Sequence, residues 1–284
     1  MVKVAALQMS MSEDKNANIN KATDFVREAA FNGANIILLP ELFSSLYFCK
    51  DMDKAYFSWA SPLKNNSLIK HFSKLSKKLN VVLLVSYFEK ADTDYFNSLV
   101  VINADGTLMD NYRKTHIPDG PGYEEKFYFK AGDTGFKVYN TAFGKIGVGI
   151  CWDQWFCETA RDLTLQGAEI IFYPTAIGSE PEIKLDSKEH WQRVQMGHAA
   201  TNTVPVVVAN RIGTEVGKSC TLTFYGSSFI TDYTGAKIAE ASRNQEEIIY
   251  ASFDLEENQK QREYWGLLRD RKPDMYKKLI STYS

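Results

Sequence analysis

Cys151 closes the stretch Gly144-Lys145-Ile146-Gly147-Val148-Gly149-Ile150-Cys151-Trp152-Asp153-Gln154-Trp155-Phe156. Gly147 and Gly149 alternate with Ile146, Val148 and Ile150, the pattern of a strand with one bare face that another backbone or a ligand can approach. A helix-like run over 158–166 follows almost at once. Strand, sharp turn and helix present a side chain at the carboxyl edge of a sheet, as nucleophile elbows do. They also set the thiol near helix-terminal N–H groups, which favour a thiolate. A lone cysteine at a strand end is ordinarily a core residue, but this one keeps company with other reactive groups. Glu41 stands just past the buried run Ile36-Ile37-Leu38-Leu39-Pro40, at a strand end where sheets place functional groups. Lys114 and Glu125 lie in a loop over 112–129, fixed by Pro118, Gly120, Pro121 and Gly122 and dense in titratable and aromatic residues.

A cysteine with loop-borne carboxylates and a lysine is chemically complete for acyl transfer. The thiolate attacks an amide-type carbonyl. A carboxylate takes the thiol proton, hands it to departing ammonia and later deprotonates water. A lysine ammonium with a backbone N–H holds the oxyanion. Other catalytic sets fit less well. The four histidines (71, 116, 190 and 198) form no HxH or HExxH, which argues against a zinc site. No GxSxG, GxGxxG or Walker A sequence occurs, and a glycosidase has no use for a cysteine. A cysteine–histidine pair through His116 or His198 stays open at this level.

The elements that must position these groups follow from periodicity. Apolar runs predict strands over 2–9, 36–39, 81–87, 96–102, 108–112, 144–150, 169–173, 204–210, 226–230, 237–240 and 247–253. Helical spacing predicts helices over 18–32, 66–79, 158–166, 187–201 and 256–265. Two halves with a loose β-α-β rhythm and no composition break predict one domain, with a sheet–sheet core and helices outside. A formal net charge of −2 gives no sign of nucleic-acid or anionic-membrane binding. No run is long and apolar enough to span a membrane. The first residues enter a strand pattern directly, which is read as no signal peptide. Four cysteines without paired spacing are read as a reduced, cytoplasmic protein.

Leu38-Leu39-Pro40-Glu41, Tyr112-Arg113-Lys114-Thr115-His116 and Gly149-Ile150-Cys151-Trp152-Asp153 resemble, in order, the three catalytic blocks of the carbon–nitrogen hydrolase (nitrilase) superfamily. The resemblance runs over nearly the whole chain, 1–284. It implies Glu41 as general base, Lys114 as cationic stabiliser and Cys151 as nucleophile. Glu125 falls where many members carry a second glutamate that positions the lysine and substrate. The implied fold is α/β, a four-layer α-β-β-α sandwich, with no cofactor and no metal. It also implies a homo-oligomer built from dimers, with helices pairing between subunits. On that reading Phe156, Leu163, Leu165, Trp191, Val194 and Met196 supply the pairing surface, and 265–284 form a tail packed on the neighbour. One departure from the family pattern is Cys157, where a proline is usual.

The substrate's charge can be argued apart from this. Members acting on carbamoyl amino acids resemble one another in carrying arginines after the nucleophile; here Asp153, Gln154 and Trp155 stand there instead. Carboxylates at Asp119 and Glu180, with aromatic faces at Tyr123 and Trp152, suit an alkylammonium tail. A small cationic carbamoyl amine is therefore the expected substrate. Another amidase of the family, of ω-amidase or β-ureidopropionase type, and a non-catalytic interaction protein on the same fold are the alternatives.

Overall fold

Alternating side chains in the first strand face two cores at once. In β1 (Val2–Ser10) Val4 and Ala6 point into one cluster and Ala5, Leu7 and Met9 into another, all fully buried. The computed structural model describes residues 1–179 and 185–281. After β1 come α1 (Lys15–Phe31), β2 (Ile36–Leu38), α2 (Ser67–Leu79), β3 (Val82–Ala91), β4 (Asp94–Ile102) and β5 (Leu108–Arg113). The middle of the chain holds the short α3 (Glu125–Tyr128), β6 (Lys137–Thr141), β7 (Gly144–Val148), α4 (Cys157–Leu165), β8 (Ile170–Pro174) and α5 (Lys188–Asn202). The last third gives β9 (Val206–Ala209), β10 (Arg211–Val216), β11 (Thr221–Tyr225), β12 (Phe229–Thr231), β13 (Lys237–Glu240), β14 (Glu247–Phe253) and α6 (Leu255–Trp265).

One sheet runs β11-β10-β1-β2-β3-β4-β5, with β14 also paired to β1; the other runs β13-β12-β9-β8-β7-β6. Both are parallel at their centres (β1, β2 and β3; β7, β8 and β9) and antiparallel towards their edges. Between the sheets Val4, Ile36, Leu38, Val82 and Leu84 meet Ile146, Val148, Ile170, Phe172 and Val207. Outside the first sheet Val26 and Phe72 of α1 and α2 cover Ile37, Leu83 and Val85. Outside the second, Leu163 and Trp191 of α4 and α5 cover Ile171, Val206 and Val208. The result is the expected α-β-β-α sandwich. Each fully buried aliphatic or aromatic side chain contributes ~1.5–3 kcal/mol.

Three parts of the fold go beyond the sequence reading: the short α3 within the 112–129 loop, β6 at a sheet edge and the β10–β11 hairpin. The expected outward apolar surface on α4 and α5 also needs correction. Leu163 and Trp191 are fully buried within the single chain, where the sheet claims them. Leu165 is exposed, and Phe156, Val194 and Met196 are partly buried. Among the described residues no helix is long and apolar enough to cross a membrane.

Candidate active site

Glu41 sits on a turn held by Ser86 and Arg211. Leu42 takes a left-handed backbone, φ 48°, a conformation that persists only where neighbours over-determine it. Its N–H donates to Ser86 Oγ at 3.1 Å. The buried Arg211 guanidinium, at the start of β10, donates to the carbonyls of Glu41 at 2.7 Å and Leu42 at 3.3 Å. The Glu41 carboxylate is itself fully buried. Oε1 accepts from Asn97 Nδ2 at 2.7 Å and from Lys114 Nζ at 2.9 Å, while Oε2 is buried and has no hydrogen-bond partner among the described residues.

Lys114 leaves the end of β5. Its N–H donates to the Asn97 carbonyl, and its own carbonyl accepts from Gly132, both at 2.8 Å. Only glycine fits there, since a Cβ on residue 132 would lie 2.1 Å from the Arg113 carbonyl oxygen. The three ammonium contacts go to carboxylate oxygens: Glu41 Oε1, and Glu125 Oε1 and Oε2 at 2.8 and 2.7 Å. The Tyr47 hydroxyl donates to Glu125 Oε1 at 2.7 Å. Burial opposes charge on Lys114, but Glu125 and Glu41 outweigh it and hold its pKa well above the usual lysine value. Burial pushes the Glu125 carboxyl above the ordinary range, with Lys114 opposing.

Cys151 also has a left-handed backbone, φ 43°, and begins a 3₁₀ turn, Cys151–Trp155. Asp153, fully buried, fastens that turn: Oδ2 accepts from Ile150 N–H and Tyr112 O–H, and Oδ1 from His116 N–H. Burial, then the Glu41 carboxylate, push the Cys151 thiol pKa well up, with Lys114 opposing. This corrects the expectation of a resting thiolate: the start of the turn does not offset burial beside carboxylates. The bare strand face is filled by side chains rather than a ligand. A Cβ at Gly147 would meet Leu163 at 3.0 Å, and one at Gly149 would meet the Tyr173 ring at 2.8 Å.

The histidines are engaged elsewhere. His116 Nδ1 lies 2.8 Å from Asp153 Oδ1 and its ring stacks on Phe156 at 3.6 Å. His198 Nε2 lies 3.0 Å from the Gln154 carbonyl. The groups that act electrostatically on the thiol are Glu41, Lys114 and Glu125. With Cys151 they bring a nucleophile, a carboxylate oxygen unpartnered among the described residues and a fixed cation into one buried cluster.

The residues expected to meet a substrate tail are more dispersed. Tyr123 is partly buried, and its hydroxyl accepts from Gly178 N–H at 3.0 Å, tying the loop after β8 to the Glu125 loop. Trp152 is 38% exposed beside Trp155. Asp119 lies on the surface, 3.9 Å from Lys126. Glu180 lies outside the described residues. Among the described residues no group of His, Cys, Asp and Glu is arranged to hold a metal ion.

Asn97, Tyr47, Arg211 and Glu215 were not legible as site residues. Glu215 Oε1 accepts from Arg211 and Oε2 from the Tyr47 N–H at 2.6 Å, so one ion pair braces both glutamate arms. Asn97 offers a signal, a carboxamide inside an apolar strand, and Arg211 another, a cation directly after Val206-Val207-Val208-Ala209-Asn210.

Residues 3–263 match the family model for carbon–nitrogen hydrolases. The chain is 53% identical over 285 residues to N-carbamoylputrescine amidase of Arabidopsis thaliana, covering 99% of this chain and 95% of that protein. It is 52% identical over 283 residues to a citrullinase of Francisella tularensis, covering 99% of each. Among solved structures, a carbon–nitrogen hydrolase from Helicobacter pylori superposes with a TM-score of 0.93 at 38% identity, covering 100% of this chain and 99% of that one.

Proposed function

The chain belongs to the carbon–nitrogen hydrolase family, and from that premise we propose that it cleaves N-carbamoylputrescine to putrescine, ammonia and carbon dioxide, feeding polyamine synthesis. The observation that carries the chemistry is the buried Glu41–Lys114–Glu125 cluster beside Cys151. Full-length likeness to amidases named for this substrate supports the choice of substrate.

In this reading Glu41 takes the Cys151 proton as sulfur attacks the carbamoyl carbon. The tetrahedral oxyanion is met by the Lys114 ammonium and by N–H groups at the start of the 3₁₀ turn, which have no partner within it. Ammonia leaves with the proton from Glu41, and a carbamoyl thioester remains. Water, deprotonated by Glu41, attacks the thioester; the thiol is restored, and the carbamic acid released loses carbon dioxide to give the amine. Glu125 fixes the lysine throughout.

The cationic end of the substrate is assigned to Asp119, Tyr123 and Trp152, with Glu180 a candidate from the sequence alone. Support comes from Glu124, whose carboxyl pKa is raised by partial burial and by nearby Asp119. Two carboxylates that repel one another are relieved by an ammonium. The protein is further proposed to act in the cytoplasm, in keeping with its four free thiols. It is also proposed to assemble as dimers through α4, α5 and the tail. Leu267, Met275, Leu279 and Ile280 of that tail are exposed in one subunit and need cover.

A second reading, hydrolysis of citrulline, is favoured by the Francisella relative. Both substrates carry a terminal ureido group; citrulline adds an α-carboxylate that Asp119 and Glu124 would repel. Ammonia release from N-carbamoylputrescine, citrulline and carbamoyl β-alanine decides between them. At least ~10-fold higher kcat/KM on the first is expected, and a preference for either amino acid overturns the proposal.

A further inference from the structure

Glu41 presents two oxygens in unequal states, and Asn97 is what makes them unequal. Oε1 receives two donors, Asn97 Nδ2 at 2.7 Å and Lys114 Nζ at 2.9 Å; Oε2 is buried and receives none from the described residues. An oxygen with its lone pairs engaged by an amide and an ammonium is a poor proton acceptor. Its twin, equally buried and without a donor among the described residues, keeps its lone pairs free to accept a proton. From this geometry we infer that Asn97 is a positioning residue that selects Oε2 of Glu41 as the oxygen exchanging protons with Cys151 and the substrate. The inference rests on Glu41 being the general base.

The rest of Asn97 supports this role. It lies within β4, fully buried, and its carbonyl accepts the Lys114 N–H at 2.8 Å. One residue therefore sets the backbone of the lysine and the rotamer of the glutamate. Its amide orientation is forced, because turning it over would press Oδ1 against the carboxylate oxygen at 2.7 Å, acceptor against acceptor. Oδ1 itself is buried with no hydrogen-bond partner among the described residues. Among them the side-chain amide bonds Glu41 alone and leaves its buried acceptor unsatisfied.

The test uses Asn97→Leu, Asn97→Asp and Glu41→Gln in the full-length enzyme, with kcat, KM and the pH profile of kcat/KM. In Asn97→Leu the carboxylate loses a donor and its rotational lock. kcat should fall about 100-fold, KM should move little, and the acid limb should shift to higher pH because the ionised form has lost a hydrogen bond. Asn97→Asp keeps the volume, so it decides the matter if the leucine variant fails to fold. Two carboxylates then compete for one proton, and the acid limb should again move up. An activity loss in either folded variant that only tracks stability, with the acid limb unmoved, overturns the inference, as does wild-type kcat in Asn97→Leu. Wild-type activity in Glu41→Gln would overturn the base assignment and this inference with it. An inactive Glu41→Gln beside a wild-type-like Asn97→Leu overturns the inference alone.

Discussion

The phenol of Tyr112, on the strand that delivers the lysine, donates a 2.7 Å hydrogen bond to the Asp153 carboxylate, on the turn that delivers the cysteine. This bond joins the edge strand of one sheet to the catalytic turn of the other. Asp153 was read from sequence only as the absence of a cation after the nucleophile; its work is to hold the turn.

Asp153→Asn keeps the shape but brings N–H groups against donors that need an acceptor. The expected cost is about 1–3 kcal/mol of stability, read in a denaturant titration, with a fall in kcat larger than the loss of folded protein. Unchanged kcat would mean that the Tyr112 bond does not set the position of Cys151.

Replacing Cys151 by serine should abolish turnover, by at least ~10³-fold, and leave the melting temperature near that of the parent. A hydroxyl is far harder to deprotonate than a thiol, and the Glu41 carboxylate beside it opposes a second negative charge. Cys157→Ser and Cys220→Ser should remain active. Turnover of Cys151→Ser at a few per cent of the parent would remove Cys151 from the nucleophile role.

Lys114→Arg should be nearly as damaging as Lys114→Ala. The ammonium is a compact donor fitted between Glu41 and Glu125 in a site closed to solvent, and a planar guanidinium fork needs more room. Lys114→Ala leaves two buried carboxylates facing each other, at about 3–5 kcal/mol. Wild-type rates in the arginine variant would place the oxyanion's cation elsewhere.

The pH–rate profile follows from the directions of the shifts. Burial raises the Glu125 pKa, so its carboxylate takes a proton at a higher pH than an ordinary glutamate as the solution is acidified. Loss of the Glu125 charge should therefore add a step to the acid limb of kcat/KM above the usual glutamate value of ~4.3, beside the step that the Asn97 variants are expected to move. Lys114 stays charged and the Cys151 thiol stays protonated well beyond neutrality, so no alkaline gain from thiolate formation is expected near neutral pH. A rise in rate between neutrality and pH 9 would contradict this reading.

How much of this was legible in the sequence depends on how far each interaction reaches along the chain. The alternation in β1, the glycines of β7 and the apolar runs ending at Glu41 and Cys151 are local patterns, and they gave the layers and the catalytic candidates. Arg211 gripping the Glu41 carbonyl and Glu215 holding Tyr47 join distant segments, and no short pattern encodes them. The thiol's raised pKa was missed for a similar reason. The helix terminus is visible in sequence, but the buried carboxylate beside the sulfur is a product of the fold. On α4 and α5, the spacing of Leu163 and Trp191 marked apolar faces without saying whether a sheet or a partner covers them.

β1 pairs along its length with β14, from Val2 against Phe253 to Gln8 against Glu247. During synthesis the first strand therefore leaves the ribosome with one edge unsatisfied until almost the whole chain has been made. At 5–20 residues per second that interval is some 12–50 s. Through it, residues 2–8 lack the backbone partners that β14 supplies, and an unpaired strand edge is the kind of segment that recruits other strands. The brace on Glu41 matures on the same schedule, because Arg211 also arrives late. A nascent chain thus carries Glu41, Lys114 and Cys151 without a working site, and a ribosome stalled before β14 would release an aggregation-prone fragment instead of a weak enzyme.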